Sequence, residues 1–191
     1  YAMLQESPLI ALSLLAVFDL VNYLLVGIML LALAVLLYKV NKGITLLALV
    51  SGLIGITLNM ASNISLTLLS LSQQYASAAS EAQKTALLSA GQSVLMGNNP
   101  LAEYPSTTTL VSLLLVALAV LLMSLLMLRT HRRTAIIGLI ASGCDLLYCF
   151  LFPLTPIAPV YLLLAVAGFF WMVWHFLIGL NLLKSRSPSA D

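Results

Sequence analysis

The sequence predicts an all-α integral membrane bundle of five transmembrane helices with one extracytoplasmic amphipathic helix. Three observations carry that reading. Of 191 residues, 62% are hydrophobic and only 7% are charged, whereas a soluble domain is nearer half apolar and a quarter charged. Five apolar runs each reach the roughly 20 helical residues that a bilayer crossing needs. Seven of the eight Lys and Arg residues fall on one side of a chain that crosses five times. A water-soluble globule of this composition would have too little polar surface, which excludes a soluble enzyme, a nucleic-acid binder and a disordered chain. The net charge of +2 is too small to imply an anionic partner.

The runs span about residues 8–38, 43–69, 110–128, 135–152 and 157–183 within a single transmembrane domain, 1–191. They lack the alternation of polar and apolar residues that barrel strands require, so they read as helices. The first is longer than one straight crossing needs. Asn41-Lys42-Gly43 reads as a turn, and Arg129-Thr130-His131-Arg132-Arg133 as a short basic link. Pro153, Pro156 and Pro159 break any continuous helix between the fourth and fifth runs. Links this short make helices 1–2, 3–4 and 4–5 antiparallel neighbours.

The long connection covers 73–108. Ser80 is placed to cap a helix over about 80–96, with Gln83 as its capping-box partner. Leu87, Leu88, Val94 and Leu95 supply an apolar side, and Gly97-Asn98-Asn99-Pro100 a stop. The segment reads as an amphipathic helix on the membrane surface or over the bundle. Its functional reading is a lid; the plainer one is a packed connector.

Lys39, Lys42, Arg129, Arg132, Arg133, Lys184 and Arg186 share one side, and Lys84 alone takes the other. The positive-inside rule makes the basic side cytoplasmic. The N-terminus and the 73–108 connection are then outside and the C-terminus inside. The chain as given starts at Tyr1, and no basic segment followed by a small-residue cleavage site is visible there.

Depth follows from the helical rise. Counting from Arg133 puts Asp145 about 18 Å into the membrane, just past the midplane. Counting from Lys39 puts Asp19 about 30 Å up, near the outer interface. A carboxyl at mid-depth is expected to face the bundle interior or a wet cavity, not lipid. One reading is an outward-facing polar cavity formed by Asp145, Tyr148, Asn59, Asn63 and Asp19, with Asn59 and Asn63 on one face of helix 2. The other is a structural Asp145 bonded to an Asn, Ser, Thr or Tyr of a neighbouring helix. Asn63-Ile64-Ser65 matches a glycosylation triplet, read as incidental at a helix end.

His175 is a candidate cofactor ligand or, more plainly, an interhelix hydrogen bonder, with Trp171 one turn before it. The other histidine, His131, lies in a link, so a bis-histidine haem site is not expected and no cofactor is assigned. Trp171 and Trp174 read as an aromatic belt. No metal-ligand spacing is present. Cys144 and Cys149 are about 140° apart around a helix, unsuited to pairing with each other. Ser51 with Gly55 and Gly138 with Ser142 are small-residue pairs of the kind that let helices approach. No triad, HExxH or phosphate loop is visible, so no catalytic residue is assigned and an enzyme is not expected.

Three stretches carry a family resemblance. They are Phe18-Asp19-Leu20 with Leu37-Tyr38-Lys39-Val40-Asn41-Lys42, the run from Leu69-Ser70-Leu71 through Glu81-Ala82-Gln83-Lys84 to Gln92, and Trp174-His175-Phe176-Leu177-Ile178-Gly179. Together they resemble a bacterial family of multi-pass membrane proteins called domain of unknown function 4386. Its members usually begin with a further N-terminal hydrophobic helix that the chain as given does not show. The resemblance implies a bacterial cytoplasmic membrane and supplies no activity and no functional residue.

These readings lead to a non-enzymatic membrane protein, an accessory, scaffold or sensor subunit. Its expected partners are the lipid bilayer and either other membrane subunits or a second copy, not nucleic acid. The alternative is a small-solute or proton-coupled transporter or channel that uses Asp145. An intramembrane enzyme or cofactor carrier based on His175 is a third class.

Overall fold

In the computed structural model, residues 6–7, 10, 17–98, 106–154 and 158–185 are described. Their helices are α1 (Phe18–Leu37), α2 (Lys42–Ala61), α3 (Ser65–Ser77), α4 (Glu81–Asn98), α5 (Thr107–Met127), α6 (Arg132–Leu151) and α7 (Ala158–Ser185). No strand occurs among the described residues. Five helical stretches are long and apolar enough to cross a membrane, α2 and α3 together forming one of them. The protein is a multi-pass, all-α membrane protein. Residues 8–9, 11–16, Pro156 and Arg186, which entered the sequence expectations, lie outside the described residues.

The second apolar run is not one straight helix. α2 ends at Ala61 and α3 starts at Ser65. The Asn63 side-chain oxygen accepts from the Ser65 backbone N–H at 3.1 Å and also from the Ser65 hydroxyl. The Ser62 hydroxyl bonds back to the Asn59 carbonyl at 3.0 Å. Short polar side chains that compete for backbone groups end one helix and cap the next. Asn63 therefore stands in the link, and the expected i, i+4 pairing of Asn59 and Asn63 on one helix face does not exist. Helix also continues to Ser77, past the position where the connection was expected to begin.

The chain divides into two compact units: 1–26 with 56–111, and 27–55 with 112–191. In the first, α3 and α4 pack as a hairpin. Leu68 is buried there against Ile64, Leu69 and Val94. The Gln83 N–H bonds to the Ser80 hydroxyl at 3.2 Å, while the Gln83 amide oxygen accepts from Ala79 N–H at 3.1 Å. This reciprocal arrangement satisfies two donors at the start of α4. Gly91 is buried on the same side of α4 as Val94 and the half-buried Leu87. At the start of that same side, the half-buried Lys84 binds the exposed Glu81 at 2.9 Å. That hydrogen bond and the Glu81 charge push the Lys84 pKa above the usual lysine value.

The second unit is built on glycine-mediated contacts. The Ser112 hydroxyl donates to the Gly55 carbonyl at 2.8 Å. A Cβ at Gly55 would stand 2.7 Å from Val116 Cγ2 and 2.9 Å from the Ser112 carbonyl oxygen. At Gly52 it would meet Leu30 Cδ1 at 2.6 Å and the Ala119 methyl at 3.1 Å. These contacts set α2 against α1 and antiparallel to α5. Ala117, Ala119, Val120 and Met123 of α5 are fully buried. Gly55→Ala should lower thermal stability by about 1–3 kcal/mol, because one of the obstructing atoms, the Ser112 carbonyl oxygen, is backbone and has little room to yield. Gly143→Ala, where a Cβ meets nothing within 4 Å, should leave the melting temperature in detergent essentially unchanged. Equal effects at the two positions would defeat the argument.

Candidate functional site

Several buried polar residues of the second unit line the contact between α6 and α7. On α6, Thr134, Gly138, Ala141, Ser142, Asp145 and Tyr148 are buried, and their spacing of three or four puts them on one face. On α7, Trp174 and Ile178 are fully buried, with Trp171 and Asn181 half-buried. The two faces meet antiparallel. The Asn181 amide donates to the Thr134 hydroxyl at 2.9 Å. Further along, Trp174 lies against Gly138. Beyond that, Trp171 Nε1–H donates to Asp145 Oδ2 at 2.6 Å. Phe152 closes the seam, stacked on Tyr148 and edge-on to Tyr161.

Asp145 is 2% exposed. Its partner is the indole of Trp171, not the Asn, Ser, Thr or Tyr that its surroundings in the sequence suggested. An indole N–H only donates, so it suits a carboxyl oxygen as well as an amide or hydroxyl does. The sequence alone suggests an interfacial tryptophan, because its amphipathic ring is usually found at headgroup depth. Here Trp171 is drawn inward by a carboxyl that needs a donor away from water.

Trp171 serves a second residue through its backbone. His175 Nδ1 lies 2.7 Å from the Trp171 carbonyl oxygen. A carbonyl only accepts, so Nδ1 carries the hydrogen and Nε2 holds a lone pair. Nε2 is buried without a partner among the described residues. The expected interhelix bond from His175 is therefore replaced by one within α7. The Trp171 and His175 rings lie 5.2 Å apart, and Trp174 stands edge-on to both. Asp145, Trp171 and His175 thus form one connected group.

Gly138 is the other focus of the seam. A Cβ there would overlap both the Ser124 hydroxyl of α5 and the Trp174 indole nitrogen of α7. Three helices converge where one lacks a side chain. Neither of these two buried polar atoms has a hydrogen-bond partner among the described residues. Ser142 turns its hydroxyl back to the Gly138 carbonyl at 2.7 Å. The sequence marked Gly138 and Ser142 only as a small-residue pair. The partners Ser124 and Trp174 carried no signal, because an apolar helix with one serine or one tryptophan does not say which way either points.

Asp19 is exposed in the first turn of α1, and Asn59 and Asn63 are half-buried, all three in the first unit. Asp145 and Tyr148 belong to the second unit. Within the first, the Asn63 amide is used for capping. Among the described residues, no group of three His, Cys, Asp or Glu side chains could hold a metal ion.

The family model described as Domain of unknown function (DUF4386) matches residues 5–183. The chain belongs to this family. The DUF4386 match spans the α6–α7 seam, with Asp145, Trp171 and His175 inside it, and its description carries no activity. No curated protein and no solved structure matches the chain.

Proposed function

We propose that this protein is a non-enzymatic accessory, scaffold or sensor subunit of a bacterial cytoplasmic membrane. The observation that carries the proposal is the engagement of Asp145, whose buried carboxyl is held by a neighbouring helix. A polar group used in this way fixes helix register and orientation. Asn63 and Asn181 are likewise engaged in capping and helix contact. Large apolar side chains face outward along α1 and α7, including Leu24, Ile28, Val35, Phe169, Met172 and Phe176. Such faces suit lipid and the flanks of another membrane subunit or a second copy.

Native mass spectrometry of the full chain from gently solubilised membranes tests this. A stoichiometric membrane partner or a homo-oligomer is the expected result. A lone monomer that conducts protons in proteoliposomes, with flux abolished in Asp145→Asn, would replace the subunit reading with the transport reading. That second reading has one observation in its favour: Asp145 and His175 are joined through Trp171.

The proposed orientation is N-terminus outside and C-terminus cytoplasmic, supported by the basic residues of the α1–α2 and α5–α6 links. With Cys144 and Cys149 replaced, a cysteine introduced at Glu81 should react with an impermeant maleimide added outside cells. One introduced at Arg132 should react only after permeabilisation. The reverse pattern would invert the topology.

A further inference from the structure

We propose that one end of the second unit is a docking surface for anionic phospholipid headgroups, formed by Lys39, Lys42, Arg129, Arg132 and Arg133. The helix contacts bring these residues to the same end. The Thr45 hydroxyl donates to the Leu37 carbonyl at 3.1 Å, which ties the start of α2 to the end of α1. Gly55 against Ser112 and Gly52 against Ala119 run α2 antiparallel to α5, so the start of α2 and the end of α5 point the same way. Ser124 at Gly138 does the same for the α5–α6 link. The Thr134–Asn181 bond sets the C-terminal part of α7 against the start of α6.

The net charge of +2 conceals this concentration. Lys39, Lys42, Arg129, Arg132 and Arg133 are all exposed, and none is ion-paired among the described residues. Of the described carboxylates, Glu6, Asp19 and Glu81 belong to the first unit. Asp145 lies about 18 Å along α6 from Arg133 and is buried. Lys42 sits over the exposed Tyr38 ring, 5.4 Å from its centroid. Tyrosine with lysine is an interfacial anchor, which sets this end at headgroup level.

Two features of the surface select a lipid over a soluble acidic partner. The basic residues stand at the end of membrane-crossing helices, where anionic headgroups concentrate. Beside them, Leu36, Val40, Ile44, Leu47, Leu125 and Ile136 are exposed. An occupant with a phosphate head and acyl tails meets both parts of the surface, whereas an acidic protein meets only the charges.

The test uses the full-length chain, delipidated in detergent and then exposed to an equimolar mixture of phosphatidylglycerol and phosphatidylcholine. Native mass spectrometry counts the retained lipids. The wild type should retain phosphatidylglycerol several-fold over phosphatidylcholine. The combined Arg129→Gln, Arg132→Gln and Arg133→Gln variant should bring that ratio close to one, and Lys84→Gln should leave it unchanged. Should the triple variant fail to fold, the single variants Lys39→Gln and Arg129→Gln decide the matter: a fall in the ratio for each supports the surface. Equal retention of the two lipids by the wild type, or an unchanged ratio in the folded variants, would overturn it.

Discussion

Gly138→Ala is expected to destabilise the protein by about 1–3 kcal/mol or more, the range for forcing atoms into a packed core. The new methyl would occupy space taken by the Ser124 hydroxyl and the Trp174 indole nitrogen. Both residues are fully buried, and they come from different helices, so no single side-chain rotation clears the site. α5 and α7 would both have to retreat from α6. Combining Gly138→Ala with Ser124→Ala removes one of the obstructing atoms and should recover part of the loss. Melting temperatures of the single and double variants in one detergent measure this coupling. Strict additivity would mean that the three helices do not converge as described.

The second large effect is expected at Trp171. Trp171→Phe keeps an aromatic ring but deletes the indole donor to Asp145 Oδ2. Leaving a buried polar group without its partner costs about 1–3 kcal/mol. Asp145→Asn should cost less, because its amide oxygen still accepts the indole hydrogen. Asp145→Leu with Trp171→Phe should also cost less than Trp171→Phe alone, since it removes both halves of the pair. The chain has two tryptophans, so Trp174→Phe leaves Trp171 as the sole indole emitter. In that background, Asp145→Leu should shift the emission maximum while Asp145→Asn leaves it nearly in place. A larger loss from Asp145→Asn than from Trp171→Phe would show that the charge, not the hydrogen bond, sustains the site.

Much of this architecture is legible before any coordinates. Length and apolarity decide where helices run, and Pro153 and the Arg129–Arg133 link decide where they end. The mid-depth position of Asp145 follows from counting residues. Its partner does not, because a partner depends on how α7 is rotated, and α7 is apolar almost all round. Asn63 shows a different failure. Treating 43–69 as one helix made Asn63 a face-sharing partner of Asn59. A side chain that can bond its own backbone competes with helix propagation, and that contest was settled in favour of a cap at Ser65. Gly138 was visible as a small residue, but its importance lies in two side chains that approach it from elsewhere in the sequence.

The length of α7 sets a condition on its surroundings. Its apolar span, Val160–Leu183, has 24 residues, about 36 Å of helix against a hydrocarbon layer of about 30 Å. A straight, upright α7 would push apolar side chains into the aqueous layer on one or both sides. The mismatch is relieved by tilting the helix or by thickening the bilayer around it. The protein should therefore be most stable in bilayers of longer acyl chains. In thin ones, Phe176 and Leu183, exposed on α7, would favour self-association as a way of hiding surplus apolar length.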